Sequence, residues 1–290
     1  MRHDFRPAAL LLLAIVAGGC SRFKILNAMV PAAAIQSRDH AYGDSPRQRL
    51  DVYRPREAVA GKTRLPIVIF FYGGYWRTGD KAEYRFAAQA LTSNGFIAVL
   101  PDTRLYPEGI FPTFIEDGAA AVRWAHDHAA EFGGDPTRLF LMGHSSGAHV
   151  AALLALDRSY LEAAGVPAAS MRGAALLSGP YDFVPGVEDR KVFGIDRDES
   201  VAARTQPIRF ARADAPPLLL IHGLKDDTVH PRNTARLAAA VRAAGGEVTE
   251  ITYSRRGHAD VALALAYPFR WLAPVTRDCV QFFRAQMDPL

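Results

Sequence analysis

Between Leu65 and Tyr253 the chain alternates apolar runs of strand length with stretches of helical character. The apolar runs are Leu65 to Phe71, Phe96 to Leu100, Leu139 to Met142, Gly173 to Leu177 and Pro217 to Ile221, and Val248 to Tyr253 reads as the last strand. Helices are predicted over Tyr84 to Ser93, Phe114 to Phe132, Ser146 to Leu156 and Asn233 to Ala244. The ends of three of them are marked, by Asn94-Gly95, Gly133-Gly134-Asp135-Pro136 and Gly245-Gly246. Strands that are apolar at successive positions have no face for water, so helices must cover the sheet on both sides. This predicts an α/β fold with a mostly parallel central sheet and β-α-β-α order throughout. Such a sheet offers its site in the loops at the carboxyl ends of its strands.

Composition agrees. The 290 residues can bury a full core, and 49% hydrophobic against 22% charged residues excludes a disordered chain. The net charge of +4 is scattered along the chain without a block of like charges, so no nucleic-acid partner is expected.

The N-terminus carries a separate message. Met1-Arg2-His3-Asp4-Phe5-Arg6 is basic, Ala8 to Val16 is a short apolar run, and Ala17-Gly18-Gly19 leads into Cys20. That is the layout of a secretory signal, with an apolar run too short for a membrane span. The small residues before Cys20 resemble a bacterial lipobox, which implies lipidation of Cys20 and a membrane-anchored, exported protein. Ser21 would suit the outer membrane in a Gram-negative source. The expected organisation is a signal segment over 1–20, a tether and lead-in over 21–41, and one catalytic domain over 42–290. A small polar lid insertion is expected at about 178–207. The second cysteine, Cys279, lies in an apolar stretch and is expected as a buried helix residue. No metal and no cofactor is called for: two cysteines make no thiolate zinc cluster, and no His-Glu-x-x-His run is present.

The chemistry concentrates at Gly143-His144-Ser145-Ser146-Gly147, a Gly-x-Ser-x-Gly run. Five residues alone are a weak signal. Here an apolar strand runs into them and an Ala/Leu-rich helix leaves them, which is the strand–turn–helix that a nucleophile elbow needs. Ser145 is the expected nucleophile. A serine hydroxyl needs an oriented base, and in this arrangement acid and histidine follow the serine in that order. His222-Gly223-Leu224-Lys225-Asp226-Asp227 and Gly257-His258 supply them after two strands. Asp226 is expected to orient the base His258, with Asp227 structural, and His222 reads as a packed loop histidine. The oxyanion of an acyl-transfer intermediate needs N–H donors, each worth roughly 3–4 kcal/mol. Tyr72-Gly73-Gly74-Tyr75-Trp76 follows the Leu65 to Phe71 run. The expected donors are the backbone N–H groups of Gly74, Tyr75 and Ser146.

Taken together these motifs resemble the α/β-hydrolases of the hormone-sensitive-lipase and carboxylesterase group, over roughly Leu50 to Phe283. Tyr72-Gly73-Gly74-Tyr75-Trp76 with Gly79-Asp80-Lys81 is similar to the loop of kynurenine formamidase-like hydrolases. Pro101-Asp102-Thr103-Arg104-Leu105-Tyr106-Pro107-Glu108 resembles the family stretch Asp-Tyr-Arg-Leu-x-Pro-Glu. The resemblance implies an α/β-hydrolase fold and a serine hydrolase without cofactor. Two departures stand out. Tyr72 replaces the family's usual histidine, so the hydrogen bonds of that histidine must be remade, and Thr103 replaces a tyrosine. Asp102 and Asp117 read as structural.

The expected activity is hydrolysis of a small-molecule carboxylic ester, short-chain or aryl, because no long apolar cap is evident. Tyr75, Trp76, Tyr106 and Tyr181 are candidates for an aromatic pocket or for core packing. Amide or formamide hydrolysis and peptidase chemistry on the same residues are rivals within enzymes, although the chain has no room for a large gating domain. A catalytically silent hydrolase fold used for binding is the rival of another class. Oligomeric state is not legible.

Overall fold

The alternation folds into one sheet. The strands are β1 (Ala34–Ala41), β2 (Arg49–Pro55), β3 (Leu65–Phe71), β4 (Ile97–Pro101), β5 (Gly134–His144), β6 (Met171–Leu177), β7 (Leu218–Gly223) and β8 (Val248–Tyr253). The helices are α1 (Arg85–Thr92), α2 (Thr113–Asp127), α3 (Ser146–Leu156), α4 (Arg158–Ala163), α5 (Val187–Phe193), α6 (Val201–Arg204), α7 (Arg232–Ala243), α8 (His258–Leu263) and α9 (Val275–Ala285). The computed structural model describes residues 26–30, 34–56 and 64–287. The expected signal segment over 1–20 and the lipidation site Cys20 lie outside the described residues.

The sheet order is β1-β2-β4-β3-β5-β6-β7-β8. From β4 to β8 every pairing is parallel, while β1 with β2 and β2 with β4 are antiparallel. The period of two along each strand splits the core. Ile67, Ile69, Leu139, Leu141, Leu218 and Leu220 face one apolar layer, which includes residues of α2, α3 and α7. Val68, Phe70, Phe140, Met142, Leu219 and Ile221 face the other, which includes residues of α1, α8 and α9. Cys279 on α9 is wholly inside this second layer, and burial pushes its thiol well above the ordinary range. It therefore serves as a small apolar residue there.

Strict β-α-β-α order fails at the start of the chain, and the stretch expected as lead-in ends in β1. Gln36-Ser37-Arg38-Asp39-His40 is polar because an edge strand is covered on one side only and needs no apolar run. Its register shifts between Ser37 and His40, where Asp39 takes φ 59°. The expected lid region carries α5 and α6 and is thus more regular than its polar composition suggests.

Chain order places the site. From β3 the chain moves to β4 on one side, then crosses to β5 on the other. The loops after β3 and β5 therefore diverge and leave a crevice at the carboxyl end of the sheet.

Candidate active site

At the end of β5 the backbone turns sharply through Ser145, at φ 56° and ψ −125°, directly into α3. A non-glycine residue held there stores about 1–3 kcal/mol of strain, which the packing around it must hold in place. That packing requires both glycines of the motif. A Cβ on Gly147 would lie 2.1 Å from the Phe71 carbonyl oxygen, and one on Gly143 would lie 2.3 Å from that of Gly147. The Ser145 N–H donates to the Leu177 carbonyl at 2.9 Å, which ties the turn to β6.

The structure brings Ser145, His258 and Asp226 into one line. Ser145 Oγ lies 2.9 Å from His258 Nε2, and His258 Nδ1 lies 2.7 Å from Asp226 Oδ2. The two loops that supply acid and imidazole leave neighbouring strands, β7 and β8. They touch because Gly223 has no side chain: a Cβ there would meet the Arg256 carbonyl oxygen at 2.3 Å. Asp226 is buried and Asp227 exposed. Burial alone would raise the Asp226 carboxyl. Hydrogen bonds from His222, His258 and the Val229 N–H outweigh it and hold the group well below the usual carboxylate range. Its second oxygen accepts the N–H groups of Thr228 at 3.0 Å and Val229 at 2.8 Å. A hydroxyl, an imidazole and an ionised carboxylate in this order can move a proton from oxygen to nitrogen and stabilise the resulting charge.

Two further histidines crowd the line. The His144 ring lies 4.8 Å from that of His258, and its Nε2 lies 3.1 Å from the His258 carbonyl oxygen. Burial, with His258 as a like charge, pushes His144 down to about 3, so it stays neutral. His222, read from sequence as a packed loop histidine, is wholly buried with Nε2 3.1 Å from Asp226 Oδ2. The sequence signal for it is the spacing His222-Gly223-x-x-Asp226, which sets both residues on one tight turn.

The loop after β3 carries three successive residues at positive φ: Gly74 at 154°, Tyr75 at 55° and Trp76 at 58°. One expectation needs correcting here. The Gly74 N–H donates to Ser146 Oγ at 2.9 Å, because the twist at Gly74 turns it toward the start of α3. It is already engaged as a loop fastener, and the Ser146 hydroxyl is its anchor. Among the described residues the Tyr75 N–H has no acceptor. The Ser146 N–H sits in the first turn of α3, where intrahelical partners are lacking.

Tyr72, which stands where the resemblance expects a histidine, has a hydrogen-bond network of its own. Its hydroxyl donates to Asp102 Oδ1 at 2.5 Å and accepts from Arg47 at 2.7 Å, and Asp102 also accepts the Lys81 N–H at 2.9 Å. Gly79 lies flat on the Tyr72 ring, where a Cβ would come within 2.5 Å. Asp117 is likewise structural: it is buried, and Arg104 and Gln48 donate to it.

Of the aromatic candidates, Trp76 and Tyr181 belong to the core, Tyr75 is 57% exposed, and Tyr106 lies under the Arg77 guanidinium. Trp76 packs against Phe193 of α5 at 4.8 Å and His149 of α3 at 5.1 Å. Arg77 donates to the Glu188 carbonyl at 2.5 Å and so pins α5 to this loop. Beside Ser146 and Gly147, behind the loop, a cavity of about 20 Å³ remains, walled by Trp76, Phe114 and Val150.

Comparison with known proteins agrees with the fold. A probable isoprenylcysteine alpha-carbonyl methylesterase of Arabidopsis thaliana is 29% identical, over 78% of this chain and 51% of its own length. A kynurenine formamidase of Danio rerio is 31% identical, over 59% of this chain and 55% of its own. The chain thus spans little more than half the length of these relatives. Esterase B from Lactobacillus rhamnosis superposes with a TM-score of 0.78 at 21% identity, over 96% of this chain and 95% of that one. The BD-FAE family model matches residues 50–241. By that match over most of its length, the chain belongs to the BD-FAE family, an α/β-hydrolase esterase group.

Proposed function

We propose that the protein is a serine hydrolase that cleaves small carboxylic esters, short-chain or aryl, through an acyl-enzyme. The observation that carries this reading is the unbroken line Ser145 Oγ, His258, Asp226 at 2.9 and 2.7 Å, at the mouth of a crevice. His258 takes the Ser145 proton as the oxygen attacks the acyl carbon. The oxyanion rests on the N–H groups of Tyr75 and Ser146, and the alcohol leaves with the proton from His258. Water then repeats the sequence on the acyl-enzyme. Asp226 keeps the proton of neutral His258 on Nδ1, which leaves Nε2 free to act as base. Because His258 must be neutral, turnover falls on acidification. The lack of a long apolar cap among the described residues supports small acyl groups over long chains. The formamidase among the relatives favours a second reading, formamide hydrolysis by the same residues. Lipidation of Cys20 after export, with the domain held at a membrane surface, belongs to the same proposal.

The test is hydrolysis of p-nitrophenyl esters from acetate to palmitate, with an N-formyl arylamide beside them, by the full chain and by Ser145→Ala. Rates highest on short esters, and lower by at least about 10⁴-fold in the variant, are expected. Turnover that survives Ser145→Ala would sink the proposal. Preference for the formamide would move it to the second reading.

A further inference from the structure

We infer that His222 is a positioning residue for the proposed reaction: it holds the Asp226 carboxylate so that Asp226 can orient His258. The inference rests on the serine-hydrolase reading above.

His222 is the last residue but one of β7 and has no exposed surface. Nε2 lies 2.8 Å from the Val229 carbonyl oxygen and 3.1 Å from Asp226 Oδ2. Both neighbours are acceptors, so this nitrogen carries a proton whichever charge state the ring holds. The nitrogen hydrogen-bonds the Val229 carbonyl, and the Asp226 carboxylate lies beside the same N–H. Nδ1 is 2.7 Å from Thr234 Oγ1 on α7, and Thr234 is wholly buried too. The ring is therefore fixed at both ends and cannot rotate without breaking buried hydrogen bonds.

Two consequences follow from where those bonds go. Val229, held by its carbonyl, gives its own N–H to Asp226 Oδ1, so the turn from 226 to 229 is clamped from both sides. Asp226 Oδ2 is shared: His258 Nδ1 approaches at 2.7 Å and His222 Nε2 at 3.1 Å. A second donor on the oxygen that faces His258 draws off part of its charge. It thereby limits how strongly the carboxylate stabilises a protonated His258. The groups facing the pair are His144, whose ring lies against His258, and the backbone N–H groups of Thr228 and Val229.

Two substitutions divide the ring between its ends. In His222→Asn the amide reaches the place of Nδ1 and can bond Thr234, but it falls short of Asp226 and Val229. In His222→Gln the amide reaches the place of Nε2 and restores the donor. In His222→Asn, where Asp226 Oδ2 is left with His258 alone, kcat/KM on a short ester should fall. The drop should reach up to roughly 10²-fold if the line of donors shifts by about 1 Å. The acid limb of that variant should also move to higher pH, because the undivided carboxylate favours charged His258. His222→Gln should keep the limb where it stands in the wild type. The proton resonance of the His258 Nδ1–H bond, recorded by NMR without any substrate, should move in the Asn variant and not in the Gln variant. A purely structural histidine would cost stability and rate in both variants and leave limb and resonance in place, and that outcome overturns the inference. Wild-type turnover that is absent or independent of Ser145 would count against the hydrolase reading instead, and the resonance would still decide the role of His222.

Discussion

His149 offers a quantitative test of the packing behind the site. Its ring is wholly buried against Trp76, Phe183 and Phe193, and Nε2 lies 2.8 Å from the Thr205 carbonyl oxygen. Burial pushes it down to about 4 from the ordinary 6.5. Above pH 6.5 the folded and unfolded chains both hold it neutral, and it adds no pH dependence. Below 6.5 the unfolded chain binds a proton that the folded one refuses, so stability is lost as pH falls toward 4. From 6.5 to pH 5 that loss is about 2 kcal/mol, at about 1.4 kcal/mol per unit. His144, pushed down to about 3, contributes about as much again over the same range. His149→Gln keeps an N–H within reach of Thr205 and removes the titration. Urea unfolding of both proteins at pH 7 and pH 5 gives four stabilities, and carboxylates common to both cancel in their double difference. The wild type should lose about 2 kcal/mol more than the variant between the two pH values. Equal losses would mean that the ring is charged or solvated in the folded state, and the account of the aromatic box would be wrong.

Close approaches elsewhere in the site give two further expectations. In Gly147→Ala the new methyl would sit 2.1 Å from the Phe71 carbonyl oxygen, so β3 or α3 must move. Calorimetry should show a loss of about 3 kcal/mol or more, and an unchanged melting temperature would refute the required close approach. Tyr72→Phe removes the hydroxyl that joins Arg47 to Asp102 and leaves a buried carboxyl one donor short. The expected cost is about 1.5–3 kcal/mol with a weaker rate on short esters, and a neutral variant would show that the oxyanion loop is held by other bonds.

Much of this molecule is legible before folding. The apolar runs name β3 to β7, because strands buried on both faces must be apolar at successive positions, and three helix ends are marked by glycine. The Gly-x-Ser-x-Gly run locates Ser145 because the turn admits no side chain at its flanks. The edge strand β1 carries no such signal for the opposite reason: half-solvated and polar, it takes its place from pairing with β2. The fate of the Gly74 N–H, the sharing of Asp226 by His258 and His222, and the network that joins Tyr72, Asp102 and Arg47 are decided only in three dimensions. Each depends on where residues tens of positions apart meet, which chain order constrains and local pattern does not. A sequence can specify which side chains are able to donate and accept. Which donor reaches which acceptor depends on distances of about 3 Å, and these are set only when the strands that carry the loops are packed side by side.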